Sequence, residues 1–414
     1  MFNQVLVTRQ DRSALRFVWR RPGSAEPPKT YEMQVQVFGS VSSPTICNFV
    51  LLRAAKDSAS EFPDAAARVQ ENFYVDNYLD SFDNENDACT VARDISKLLD
   101  RGGFRLTKWL STSRRLLEDL PLDRRASPGL DLKRDALPTE KTLGLHWDAE
   151  RDVFVIKTNR FPVELTQRVL LSAINSIYDP LGFIQPVVLK AKRILQKSQV
   201  DGIRWDDRLP QKLVERWIRW VDALSSLDDI AIPRCLKPCT TSSNAQIPTF
   251  CDASETGFGC VIYLRTENRD GVAVGFVAGK AWTSPKKFQT IPKLELQAAV
   301  MGLRLTSAVV KKLRLDVSAP IYWTESAIVL GLIQSTSFRF KTFVGHRIGE
   351  ILESSDQSHV PSVLNPVDDA SRGLHPIELN NRPSLHSSDS NKKSATPLNW
   401  KPSVRAGRSR KNQV

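Results

Sequence analysis

The chain has 414 residues, 41% of them hydrophobic, and carries a net charge of +12. That length admits two or three domains, and that apolar fraction can bury real cores, which excludes a chain disordered throughout. The first ten residues contain no apolar run of signal-peptide length, and no later stretch approaches the roughly 18 apolar residues of a membrane span, so a soluble, intracellular protein is expected.

Residues 1–110 mix extended apolar stretches with one helix, an α+β unit. Phe73 to Leu79 is a short aromatic and β-branched run. Asn86 to Leu99 has helical patterning, with Val91, Ile95 and Leu98 on one face, and the Gly102-Gly103 pair ends it and turns the chain into an extended Phe104 to Trp109. A charged loop runs from Leu117 to Thr142, and Leu143 to Lys157 reads as a hairpin around Asp148 to Asp152.

The rest of residues 111–245 is mostly helical. Thr166 to Ile177 and Pro186 to Gln199 are helical segments, and Leu213, Trp217, Trp220 and Leu224 recur at helical spacing. An apolar stripe of this kind is core, so these tryptophans are assigned to packing.

Residues 246–375 have the most informative order of elements. A strand over Pro248 to Ala253 is followed by a turn at Gly257-Phe258-Gly259, then strands over Cys260 to Arg265 and Val272 to Ala278. A long helix begins at Pro292 and keeps Leu294, Ala298, Met301, Leu305 and Val309 on one face. A strand (Pro320 to Trp323), two helices (Ser326 to Ile333 and Thr342 to Leu352) and a final segment from Asn365 to Arg372 complete an α/β domain with a mixed sheet.

Residues 376–414 are rich in Ser, Asn, Pro, Lys and Arg and are expected to form a disordered basic tail. Eight Lys/Arg face only Glu378 and Asp389 there, so half of the chain's excess charge sits in the tail and the body is only mildly basic. Charge alone therefore supports phosphate binding weakly. The six cysteines are too scattered for a disulfide framework. Cys235 and Cys239, the close pair, lack a second ligand pair at zinc spacing, so reduced thiols are expected.

Four acids of the α/β domain fall where an apolar run meets a turn or helix: Asp252 on the first strand, Glu295 in the first turn of the long helix, Glu325 past the fourth strand, and Asp368 in the last segment. Taken singly each has a bland reading; for Glu295 the helix dipole alone would serve. Taken together they offer the hard oxygen ligands that two-metal phosphodiester hydrolysis requires. The chain has no Ser-His-Asp spacing to propose and no phosphate-binding GxxxxGK[ST] loop.

These residues resemble a known family. Thr249-Phe250-Cys251-Asp252-Ala253-Ser254 with Gly257 to Cys260, Pro292-Lys293-Leu294-Glu295-Leu296, Tyr322-Trp323-Thr324-Glu325-Ser326, His359-Val360-Pro361 and Asn365 to Gly373 are similar to the ribonuclease H domain of Pao/BEL-type LTR retrotransposons. Ala14 to Arg20, Phe38-Gly39-Ser40, Phe73-Tyr74-Val75-Asp76-Asn77, Gly102 to Trp109 and Ser176 to Phe183 resemble that family's reverse-transcriptase palm and connection. The resemblance implies a Pol polyprotein fragment: a truncated palm (1–110), a thumb or connection region (111–245), a ribonuclease-H-like domain with a mixed five-stranded sheet (246–375) and the tail. It also implies Asp252, Glu295, Glu325 and Asp368 as catalytic ligands of two Mg2+ (or Mn2+) ions, with an RNA/DNA hybrid or other nucleic acid as partner. Neither a small-molecule cofactor nor a membrane is implied, and other retroelement proteins are not readable as partners.

Three departures bear on activity. The family's upstream palm aspartate would precede the segment that begins here at Met1. Asn77 stands where the family has the second aspartate of Tyr-Val-Asp-Asp, so in the remnant Tyr74-Val75-Asp76-Asn77 only Asp76 is a matched metal ligand. One carboxylate does not hold two magnesium ions, so no DNA polymerase activity is expected. Glu325 occupies the place of a family aspartate and adds a methylene, which implies a nuclease complete in charge but impaired in geometry. The family region also bears the label Pao retrotransposon peptidase (Peptidase A17), yet the chain contains no Asp-Thr-Gly or Asp-Ser-Gly triplet for a paired-aspartate protease. Three readings stay open: a metal-dependent ribonuclease H, a non-catalytic nucleic-acid binder, and an inert transposon remnant.

Overall fold

The computed structural model describes residues 1–158, 161, 164–236, 244–268, 271–313, 315, 317, 320–335, 340–354, 357–359 and 365–380. The chain forms two compact units, one of residues 1–139 with 149–151 and one of residues 140–148 with 152 onward.

The first unit holds three long helices where the sequence suggests one: α1 (Ser43–Asp57), α2 (Pro63–Asn72) and α3 (Glu85–Arg101). α1 buries only the stripe Ser43, Cys47, Leu51 and Ala55, and α2 buries Ala65, Ala66 and Val69, so small residues make up most of both inward faces. α3 follows the expected pattern: Asn84 caps it by accepting from the Asp87 N–H at 2.9 Å, and Gly102 follows its last residue. Its Val91, Ile95, Leu98 and Leu99 pack with Leu51, Val69 and Phe104. Two small antiparallel pairs, β1 (Arg16–Trp19) with β2 (Lys29–Glu32) and β3 (Phe73–Tyr74) with β4 (Asn77–Tyr78), complete the ordered elements beside the short α4 (Arg114–Asp119). The expected extended run over 104–109 is a coil with one isolated bridge, Trp109 to Arg125.

The second unit opens with a four-stranded sheet in the order β5 (Thr139–Thr142), β6 (Leu145–Asp148), β7 (Val153–Val155), β8 (Ala231–Pro233). The β6–β7 pair is the hairpin legible in the sequence. Helices α5 (Gln167–Ser176), α6 (Gln185–Val200) and α7 (Gln211–Asp222) share one core in which Trp217 and Trp220 lie 4.9 Å apart, and the Trp220 indole donates to the Val187 carbonyl at 3.1 Å. The tryptophan stripe is thus packing.

The larger sheet follows. β10 (Pro248–Ala253), β11 (Gly257–Asn268) and β12 (Gly271–Thr283) form an antiparallel meander, and β13 (Ile321–Thr324) and β14 (Gln357–His359) add parallel to the other edge of β10, giving the order β12-β11-β10-β13-β14. The five strands expected from the resemblance form this path, and a sixth, β9 (Asn244–Gln246), pairs with β11 off it. α8 (Ile291–Val310) covers one face, setting Leu294, Ala298 and Met301 on Cys251, Phe258 and Cys260; its other side packs on α9 (Ala327–Gln334) and α10 (Thr342–Ser354). α6 and the short α11 (Asp368–Arg372) cover the opposite face.

The turn after β10 differs from expectation. Ser254 to Thr256 make it, with Ser254 Oγ accepting from the Thr256 and Gly257 N–H groups, while Gly257 to Gly259 already belong to β11. Those glycines serve close packing: a Cβ on Gly257 would stand 2.9 Å from the Ser371 and Trp282 carbonyls, and one on Gly259 would stand 2.7 Å from the Lys280 carbonyl.

The helices expected in the connection are joined to this sheet by a backbone clamp. Asp179, partly buried, accepts from the Phe183 and Ile184 N–H groups at 2.8 and 3.0 Å ahead of α6. Gly182, at φ +82°, lies so close to β12 that a Cβ would stand 2.0 Å from the Gly279 carbonyl, and Gly279 N–H donates to Leu181 at 2.8 Å. Gly182→Ala is therefore expected to cost roughly 3 kcal/mol, combining left-handed strain with overpacking. A thermal melt would register this as a fall of several degrees, and an unchanged melt would refute the clamp.

A helix α12 (Pro376–Asn380) closes the described chain, with Leu379 buried in the α5–α7 core. The expected disordered tail thus loses its first five residues to a helix; its remainder lies outside the described residues. No described helix is long and apolar enough to cross a membrane.

Candidate active site

The four candidate acids come from four separate elements of the second unit. Asp252 sits near the end of β10 with 2% of its surface exposed; its register partner on β11 is Gly259. β13 is the parallel neighbour of β10, and its last residue, Thr324, pairs with Cys251, so Glu325 follows directly beside Asp252. Glu325 is within hydrogen-bonding reach of Asp252, and Asp368, first residue of α11, adds its charge to the same place. Glu295 is half-buried on α8. It is the fifth helical residue, past the first turn where the sequence suggested it lay, so the helix dipole does not account for it.

Burial pushes the Asp252 carboxyl up to about 7; the Ser371 hydrogen bond pulls against this, and Glu325 and Asp368 add to it. Glu295 is likewise pushed up by burial and by Glu325, against the hydrogen bond it accepts from Ser326 Oγ at 2.6 Å. Asp368 pairs with Arg372 at 2.7 Å on its own helix. Asp252 Oδ1 and Glu325 Oε2 are buried with no hydrogen-bond partner. Two such oxygens on neighbouring carboxyl groups are costly to bury unless a proton or cation is shared there.

That donor set fits a hard divalent ion in its chemistry: carboxylates alone, two of them with an oxygen to spare. Among the described residues, however, no three His, Cys, Asp or Glu side chains converge as a metal-holding group. The fit is thus one of composition and charge, centred on Asp252 and Glu325, with Glu295 and Asp368 flanking through Glu325 and Asp252 respectively.

Two residues that sequence reasoning gave no role hold the acids in place. Ser371 Oγ donates to Asp252 Oδ2, and Ser254 Oγ donates to the Ser371 carbonyl at 2.8 Å, tying α11 to the turn after β10. Ser326 caps α9, accepting from Val329 N–H at 3.2 Å, while donating to Glu295. Both serines lie inside the motifs that carried the resemblance, but nothing local marks a hydroxyl that acts across 119 residues of chain. Ser371→Ala removes the one hydrogen bond that favours ionised Asp252, worth about 1.5–3 kcal/mol when an acceptor is charged. The Asp252 carboxyl should then titrate higher still. An NMR titration of that carboxyl showing no upward movement would contradict this assignment.

The polymerase-motif residues lie in the first unit. Tyr74 ends β3, Asn77 begins β4, and Val75 and Asp76 make the turn between them, Val75 at φ +57°, a region a β-branched residue rarely adopts. Asp76 is exposed. Of the cysteines, Cys47, Cys89, Cys251 and Cys260 are buried free thiols, and Cys239 lies outside the described residues.

Residues 166–326 match the family model of the Pao retrotransposon-like RNaseH-like domain. No curated protein matches the sequence. A solved structure, RNase H1 from the halophilic archaeon Halobacterium salinarum, is 15% identical over a match that covers 31% of this chain and 91% of that one, with a TM-score of 0.21. The matched span runs from the cap of α5 through the meander, α8 and β13, and takes in Asp252, Glu295 and Glu325 while stopping short of Asp368. Over those residues the chain is similar to a Pao retrotransposon RNase H-like domain.

Proposed function

We propose that the second unit is a metal-dependent nuclease of the ribonuclease H kind, acting on the RNA strand of an RNA/DNA hybrid. Asp252, Glu295, Glu325 and Asp368 would hold Mg2+ or Mn2+, two ions in the loaded centre. The observation that carries this reading is the environment of Asp252, a buried carboxyl raised by its burial and by two acidic neighbours, with an orphaned oxygen on itself and another on Glu325. Acids gathered against their own repulsion mark a functional site more often than a structural one.

Divalent cations at such a centre activate water and stabilise the attacking and leaving oxygens of the phosphodiester. The chain's own residues set the stage: Ser371 orients Asp252, Ser326 orients Glu295, and the clamp at Gly182 fixes α6 against β12. Hybrid recognition would rest on shape and on phosphate and 2′-hydroxyl contacts.

The first unit is proposed as a remnant of a Pao/BEL reverse-transcriptase palm, with Tyr74 to Asn77 the trace of its metal motif and Asp76 its one matched ligand. No primer extension is expected from this chain. A second reading, nucleic-acid binding without cleavage, is favoured by the lack of any three converging acids among the described residues. The full chain should be incubated with a labelled hybrid and Mg2+ or Mn2+ beside Asp252→Asn. Cleavage lost in the variant supports the nuclease; a bound, uncut hybrid supports the second reading; neither binding nor cleavage leaves an inert remnant.

A further inference from the structure

The connection between β12 and α8, residues 284–290, is an exposed loop set between the strand meander that carries Asp252 and the helix that carries Glu295. Both its ends are anchored. Ser284 N–H donates to the Thr256 carbonyl at 3.1 Å, Gln196 donates to the Ser284 carbonyl at 2.5 Å, and Gln297 on α8 donates to the Gln289 side chain at 2.7 Å. Between these anchors stand Lys286, Lys287 and Phe288, and Phe288 leaves 86% of its surface in solvent. Neither lysine makes an ion pair with a described residue. At the foot of the loop Trp282 is half exposed, with Lys280 Nζ 5.1 Å from its ring centroid.

An aromatic ring held out on a tethered loop next to two free ammonium groups has a chemistry that water does not reward. Fixed cations suit a phosphate backbone, and a bare ring suits the face of a base. A base stacked inside a duplex has no face to give, so the matching ligand is unpaired. We propose that Lys286, Lys287 and Phe288 form a lip that binds a single-stranded nucleic-acid segment, Phe288 stacking on a base and the lysines holding the flanking phosphates. The lip rests on the proposed nuclease reading only for its role: there, it would take the unpaired strand that runs off the end of a hybrid, and so would favour hybrids with an overhang over blunt ones.

The test is equilibrium binding by the full chain in EDTA, where no cleavage intervenes, measured by fluorescence anisotropy. The probes are a blunt hybrid, the same hybrid with a single-stranded overhang of RNA or of DNA, and the free single strands; the two overhangs tell which strand is taken. The parent should prefer the overhang. Phe288→Ala should weaken overhang binding by roughly five- to a hundredfold, the range for one lost base–aromatic stack, and leave blunt binding unchanged. Lys286→Ala with Lys287→Ala should lower the salt dependence of single-strand binding by about 1.4 in log–log slope, two phosphates' worth. All three positions are exposed, so the variants should melt with the parent. Equal binding of blunt and overhang hybrids by the parent, or an overhang preference that survives Phe288→Ala, overturns the proposal. Because cleavage is not read, failure of the nuclease reading and failure of the lip are separate results.

Discussion

Asp252→Asn is expected to melt higher than the parent at pH 8 in EDTA while losing any hybrid cleavage, by on the order of a hundredfold or more. The sign follows from the raised carboxyl. Its ordinary value is 3.8 and burial lifts it to about 7, so between those values the folded protein holds a proton that the unfolded chain has released. Stability therefore falls as pH rises from about 4 to about 7 and stays reduced above that. A shift of that size corresponds to at most roughly 4 kcal/mol; coupling to Glu325 and local relaxation reduce this, so a gain of about 1–3 kcal/mol is expected for the neutral isostere. The gain should vanish below about pH 4, where the parent carboxyl is protonated in both states. Mg2+ should raise the melting temperature of the parent and not of Asp252→Asn, because an ion that binds only the folded state stabilises it by mass action. A variant less stable than the parent at pH 8, with the same response to Mg2+, would remove the electrostatic basis of the proposed centre.

Glu325→Asp is the second large effect. Glu325 reaches Asp252 across the parallel pair of β10 and β13, and its extra methylene is the one departure among the four acids from the pattern that the resemblance implies. If a ligand displaced by about 1 Å costs on the order of a hundredfold, shortening the side chain should raise cleavage by up to that factor. Withdrawing the carboxylate should also bring the Asp252 carboxyl down towards its ordinary range. Measured rates with Mg2+ for the parent and Glu325→Asp decide it. A fall in rate on shortening would mean that the longer arm is the fitting one and that the centre is complete as it stands. Equal inactivity of both folded proteins would move the reading to binding without cleavage.

Both expectations turn on contacts with different legibility in the sequence. The order of strands and helices from Pro248 through α10, the β6–β7 hairpin, the tryptophan stripe of α7 and the faces of α3 and α8 are local matters, set by periodicities of two and 3.6 that neighbouring residues write into the chain. The four acids were visible for the same reason, each standing at the end of a legible element. α1 and α2 were not visible, because apart from Leu51 and Val69 their buried faces are made of Ser, Cys and Ala, whose small side chains become a core only against α3. Gly257 and Gly259 look like turn residues in the sequence. Only the approach of the Ser371, Trp282 and Lys280 carbonyls shows that they are strand residues needing room.

The sequence by itself thus determined which acids are available and which elements carry them. The tertiary structure decided what surrounds them: that Glu325 lies against Asp252, that Ser371 and Ser326 hold two of the acids from distant parts of the chain, and that α6 shares a body with the sheet. Those are through-space relations between residues far apart in the chain, and a single sequence encodes them only through the packing of the whole unit, which no local pattern reports.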